Sequence, residues 1–361
     1  PFGSSPEGSE APVLLDIPCR NMPTMGSLAR LLAASLAARA VQGSCGAARS
    51  CPAELQGSPS DDGAVQLLQR DARLAAEPNE VVPPALARAM PIAWVHVPKC
   101  GSSFLNTLIN LPGVCDSSVP ADMVVGPEMA DLFIDTFKQT YAPQRSCLGL
   151  METGFHHAGI EGTVGYSRGA GHFMIMLRDP EQRIISSYHD MIRASMNEPN
   201  GTIMDACRSW GGWDTAELPA LPDFARKSRG CVTRMLTRGG CPCGPAGGAP
   251  SEEEVALAKR RLREGFTFVG FTDQWDLSMC LFDAMFETGC HSYQFHNARP
   301  GRPEHSAGEE YDTAQLQGVT DPYDGEVVAE ARRIFDERLR RYNVSEASCA
   351  ACYRDAGLCA A

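Results

Sequence analysis

No run of 18 uninterrupted apolar residues occurs in this 361-residue sequence. A membrane-spanning helix needs roughly that length, so the chain is expected to contain none. Positive charge is also short: 32 Lys and Arg stand against 44 Asp and Glu, for a formal net charge of −12. That balance argues against a general nucleic-acid binder. It mildly disfavours a densely anionic acceptor, although a local basic patch can override a global sum. Zinc-ligand spacing is missing as well. Cys241-Pro-Cys243 is too tight for a knuckle, and Cys349-Ala-Ala-Cys352 has no second pair at finger spacing, only Cys359. The nucleoside-triphosphate loop G-x-x-x-x-G-K-[ST] is absent, and so are internal repeats.

What is present is ordinary globular material, 43% hydrophobic and 21% charged, enough for a sizeable core in one large or two ordinary domains. Fifteen cysteines is a high count. The reading favours disulfides, with free thiols and metal ligands as alternatives. Two glycosylation sequons, Asn200-Gly-Thr and Asn343-Val-Ser, fit a secretory route. The chain begins at Pro1 rather than Met and reads as a fragment or a processed form. Residues 25–42 hold a short apolar stretch interrupted by arginines, either a signal-like segment or a lone helix.

Residues 1–88 are rich in Ala, Gly, Ser and Pro and read as largely disordered, with isolated helices near 26–41 and 63–76. Patterning changes near residue 91. "IAWVHV" (92–97), "HFMIMLRDP" (172–180) and "FTFVGFT" (266–272) read as buried strands. Phe104, Leu105, Leu108 and Ile109 recur at helical spacing, and so do Ile184, Ile185, Tyr188, Met191 and Ile192. Asp179 and Pro180 suit the start of the second helix. Ser251 with Glu254 forms a capping box for a helix that Gly265 ends. Further helices are expected from about Asp273 to Glu287 and along the stripe Val327 to Leu339. Strands alternating with helices predict an α/β fold with a central parallel sheet flanked by helices on both faces. Residues 239–250 read as a surface loop and 292–325 as a long irregular connection.

Two strand-to-helix junctions carry the chemistry. "HVPKCGSSF" (96–104) brings a Lys, a Gly and two hydroxyls to the start of a helix. The N–H groups of a first helical turn favour an anion there. Gly101 permits close backbone approach, Ser102 and Ser103 donate, and Lys99 adds a full charge. "LRDPEQRIISSY" (177–188) places Arg178 at a strand end, where it can grip a phosphate bidentately, and Ser186 two turns into the next helix.

The order Pro-Lys-x-Gly-[Ser/Thr]-[Ser/Thr] resembles the 5′-phosphosulfate loop of sulfotransferases that use 3′-phosphoadenosine 5′-phosphosulfate (PAPS). The run Arg178, Asp179, Pro180, Arg183, Ser186, Tyr188 looks like that family's 3′-phosphate motif. Residues 266–286 resemble the late strand and helix of the Golgi carbohydrate (heparan-type) members. The resemblance covers about residues 91–345 and implies a P-loop-like three-layer α/β fold. It delimits a sulfotransferase domain at 89–345, with a Cys-rich tail at 346–361. It further implies that Lys99, Gly101, Ser102, Ser103 and Phe104 hold the 5′-phosphosulfate, that Arg178 and Ser186 hold the 3′-phosphate, and that no metal is needed. Arg183 reads as structural, paired with Asp179 or another acid; Tyr188 reads as core and Asp179 as a cap.

Sulfuryl transfer to an alcohol needs a base for the hydroxyl proton. "ETGFHHAGIEG" (152–162) lies where heparan-type members carry a catalytic His. His157 is the first candidate, His156 the second, and Glu152, Glu161 or another His remain open. His96 reads as core, and His291, His296 and His305 lie in the irregular late segment. Lys99 would also stabilise charge on the leaving oxygen. The basic stretch Arg226, Lys227, Arg229, Arg234, Arg238 is expected to be a solvated helix face, with an anionic glycan as the alternative reading. By resemblance the acceptor is a carbohydrate hydroxyl, with a tyrosyl or small-molecule hydroxyl left open, and the compartment is the Golgi lumen or beyond it. The alternatives are a P-loop-like kinase and an inactive secreted binding protein of the same fold.

Overall fold

In the computed structural model, residues 81–126, 133–151, 157–197, 219–239, 248–297 and 310–358 are described. The expected helices near 26–41 and 63–76 lie outside them, as do His156, Glu152, His305, Asn200, Cys241, Cys243 and Cys359. All described residues belong to one compact unit.

In chain order the main elements are α1 (Pro84–Ala89), β1 (Ala93–Val95), α2 (Phe104–Ile109), α3 (Phe133–Tyr141), β2 (Phe173–Leu177) and α4 (Pro180–Asn197). They continue with α5 (Leu221–Ser228), α6 (Cys231–Thr237), α7 (Glu252–Gly265), β3 (Phe266–Phe271), α8 (Trp275–Phe286), α9 (Pro322–Arg341) and α10 (Glu346–Asp355). The three strands form one parallel sheet in the order β1-β2-β3. Each pairing needs a crossover, and helices supply it. Every residue of β1 and β2 is buried, as a parallel sheet covered on both faces requires. The α/β parallel-sheet expectation therefore holds, with strands shorter than the apolar runs that announced them.

The helix starts follow local chemistry. Asp179 Oδ1 accepts the Gln182 N–H at 3.0 Å, and Pro180 opens α4. Ser251 and Glu254 close a reciprocal capping box at α7. Asp321 caps α9 through the Asp324 N–H, with Pro322 at the first helical position. The stretch read as irregular at 292–325 contains two short 3₁₀ turns and the start of α9.

Phe104 of α2 stacks on Phe268 of β3, ring centroids 5.5 Å apart, and Phe282 of α8 meets Phe268 edge-on at 5.1 Å. Burying each ring contributes about 1.5–3 kcal/mol. This cluster fixes α2, and with it the loop that precedes α2, against the sheet. A bridge from Ile92 to Leu150 adds a short parallel neighbour beside β1. Its chain runs the way β1 runs, toward the same end of the sheet.

Three disulfides join Cys115 to Cys147, Cys280 to Cys349 and Cys290 to Cys352. The last two tie α10 to α8 and the turn after it. Cys231 is disulfide-bonded too, while Cys100 is a buried free thiol. Among the described residues, no helix is long and apolar enough to cross a membrane.

Candidate functional site

Ligands of open parallel sheets bind beyond the carboxyl ends of the strands. Both sequence motifs lie there, on the adjacent strands β1 and β2. Lys99 (φ 62°) and Gly101 (φ 76°) adopt left-handed backbone, so the loop after β1 curls tightly. A Cβ on Gly101 would stand 2.7 Å from the Trp275 ring and 3.1 Å from Thr272, so the loop needs glycine for both conformation and space. The helix that follows is only six residues long, so its dipole adds less to an anion site than the sequence pattern promised.

The Lys99 ammonium lies 3.1 Å from Asp190 Oδ1 on α4, both side chains about one-fifth exposed. Ser102 Oγ lies 2.8 Å from His96 Nε2. Ser103 is buried. Phe104 is placed otherwise than a ligand-touching side chain would be. It is wholly buried in the core, and its N–H donates to Gly101 O at 3.0 Å, so it anchors the loop from beneath.

The second motif lies beside the first. Cys100 in the first loop sits close enough to the second motif to feel the charges of Arg183 and Arg178 and the Arg178 backbone. Burial pushes the Cys100 thiol up to about 12, so it stays protonated and is no nucleophile. The Arg178 guanidinium rests 5.3 Å from the centre of the Tyr311 ring. Ser186 is buried one turn beyond Arg183. Arg183 is structural: its Nη2 donates to Ser228 O at 3.2 Å and stands 3.6 Å from Asp324 and 3.9 Å from Asp321. Tyr188 packs edge-on against Phe224 at 5.4 Å.

His157 reaches the same end of the sheet from the segment beyond Leu150. Its Nδ1 lies 3.0 Å from His96 O, and a carbonyl can only accept. The proton therefore sits on Nδ1, which leaves Nε2 as the basic nitrogen. The His157 and His96 rings are 4.4 Å apart, and His96 stacks on Trp94 at 4.3 Å. His96 is thus buried, as read, but it also links the candidate base to a loop hydroxyl. Sequence reasoning missed that link, and it missed Asp190, whose only signal is a carboxylate at a helical position. Glu161 pairs with Arg261 at 2.5 Å.

The basic stretch 226–238 departs from its expectation of a solvated face. Gly230 (φ 70°) divides it into α5 and α6, and Arg234 is buried, donating to Arg229 O at 2.8 Å. Arg226 and Arg238 pair with Asp223 and Glu254, each at 2.6 Å. Among the described residues, one trio could in composition suit a metal: Asp283, Cys290 and Cys352 lie within 4.8 Å of one another. The two sulfurs are joined as a disulfide, so neither is a thiolate ligand.

No family model, no curated protein and no solved structure matches this chain.

Proposed function

We propose that this chain transfers the sulfuryl group of PAPS to an acceptor hydroxyl, with a carbohydrate as the acceptor class and the secretory pathway, most simply the Golgi lumen, as its setting. One observation carries the reading. Two cation-bearing loops leave neighbouring parallel strands at the same end, while His157 abuts the first of them. That pattern suits a ligand with two separated anionic groups.

In this reading the 98–104 loop holds the 5′-phosphosulfate, with Lys99, Ser102 and Ser103 as donors. Arg178 and Ser186 take the 3′-phosphate. The acceptor oxygen attacks sulfur in line as the bridging S–O bond breaks. The hydroxyl proton passes to His157 Nε2, and adenosine 3′,5′-bisphosphate leaves with its new charge facing Lys99. Positioning and preorganised charge supply most of the rate, as in phosphoryl transfer.

Calorimetry with adenosine 3′,5′-bisphosphate, AMP and Mg·ATP tests the donor half. The bisphosphate should bind at least about tenfold more tightly than AMP, and Arg178→Ala should erase that difference, because one charge-assisted contact is worth about 1.5–3 kcal/mol. Equal affinities would overturn the 3′-phosphate assignment, and preference for Mg·ATP would point to a kinase. A glycan and small-molecule acceptor screen with radiolabelled PAPS tests turnover. Tight donor binding without transfer would leave a binding protein of this fold.

A further inference from the structure

A cavity of about 310 Å³ opens at the other end of the sheet from the two motifs. Gly171, just before β2, and Thr267, at the start of β3, line it. The five residues of β2, at about 3.3 Å each, separate it from the Arg178 loop. It is therefore not part of the donor site.

Three arginines line this cavity: Arg88 of α1, and Arg338 and Arg341 from the last turn of α9. No carboxylate among the described residues lines it. Glu337, the acid whose charge acts on Arg338, already pairs with Arg263 at 3.2 Å. Arg338 Nη2 donates to Phe266 O at 2.6 Å, whereas its Nη1 is buried with no hydrogen-bond partner. Other buried arginine nitrogens among the described residues also lack a partner, but this one lies beside a cavity that an acceptor can enter. Burial pulls the Arg338 guanidinium down to about 10, with Arg341 adding like-charge repulsion and Tyr342 and Glu337 opposing it. The cluster is a concentration of positive charge in a protein whose net charge is −12.

The remaining wall is apolar. Met285 and Phe286 from the end of α8, with the Tyr342 ring, face the arginines. The volume lies at the small end of the range for organic ligands. We propose that this cavity is a second anion site. It takes a small amphipathic anion, with a phosphate, sulfate or carboxylate head seated among Arg88, Arg338 and Arg341 and an apolar body against Met285, Phe286 and Tyr342.

Calorimetry on the full chain with phenyl phosphate, inorganic phosphate and benzyl alcohol tests it. Phenyl phosphate should bind more tightly than either of the others, because only it offers both head and body. Arg338→Met should weaken it by about tenfold or more. Because Arg338 also holds Phe266 O, that variant is paired with Arg88→Ala/Arg341→Ala, which alters exposed side chains and should also weaken binding. Lys99→Ala and Arg178→Ala should leave phenyl phosphate affinity unchanged, so the result stands apart from the donor-site reading. The proposal fails if phenyl phosphate does not bind, if both arginine changes leave its affinity intact, or if Lys99→Ala is what weakens it. Inorganic phosphate binding as tightly as phenyl phosphate would overturn the apolar half.

Discussion

The Lys99 ammonium and the Asp190 carboxylate face each other at 3.1 Å across the gap between the first motif and α4. In the proposed function, an incoming phosphosulfate would share Lys99 with that carboxylate. Asp190→Asn should therefore tighten adenosine 3′,5′-bisphosphate by about two- to fivefold, the range of a partly exposed pair. Lys99→Ala should weaken the bisphosphate and slow turnover together, because it touches ground and transition states alike. Calorimetry on both variants checks the signs, and weaker binding in Asp190→Asn would mean that the carboxylate only positions the lysine.

Removing the candidate base should separate binding from chemistry. His157→Ala is expected to lower turnover by roughly 10²–10⁴ and to leave bisphosphate affinity nearly intact. A thermal melt confirms that the variant is folded. Full activity would exclude His157 and move the assignment to His156.

Asp283 predicts how stability varies with pH. Burial raises its carboxyl to about 7, against the opposing hydrogen bonds from Gln294 and Thr288. The Cys290 sulfur, in a disulfide and without a proton, lies 3.0 Å from Oδ2, a contact that suits the protonated acid. Between about pH 4 and about pH 7 the folded protein holds a proton that the unfolded chain has released. Stability should fall as pH rises through that window and level off above it. Urea melts across the window check the slope, and Asp283→Asn should reduce it.

Arg183 gives the stability prediction. It is buried with Arg234, Asp321 and Asp324, and the two carboxylates also receive the N–H groups of Gly230, Val232 and Thr233. Arg183→Met leaves those acids without one of their cations. The expected loss is about 3–5 kcal/mol in denaturant melts. A loss below about 1 kcal/mol would show that Arg234 and the backbone donors suffice.

What the sequence disclosed follows from the range of each interaction. The three strands, the Asp179 cap and the Ser251 box are written in neighbouring residues, and they stand close to where periodicity and capping put them. The sharing of Lys99 with Asp190 joins residues far apart in the chain, and a solvated acid looks the same as a paired one. Arg234 seemed to belong to a single charged face because nothing local announces that Gly230 will break that face and turn the guanidinium inward. The arginine cavity draws on residues 88, 338 and 341 and so has no motif. His96 could be read as buried, but not as the neighbour of His157, because only the parallel run beside β1 brings them together.

The stapling of α8 to α10 has a consequence for biogenesis. Cys280 and Cys290 emerge from the ribosome well before their partners at 349 and 352, at sequence separations of 69 and 62. Through that interval both are reactive thiols on a nascent chain that already carries other cysteines. Correct pairing therefore waits until the chain has been translated through Cys352. A chain cut short before Cys349 would keep Lys99, His157, Arg178 and Ser186 in its sequence, yet it could not lock the helix whose Trp275 packs against Gly101.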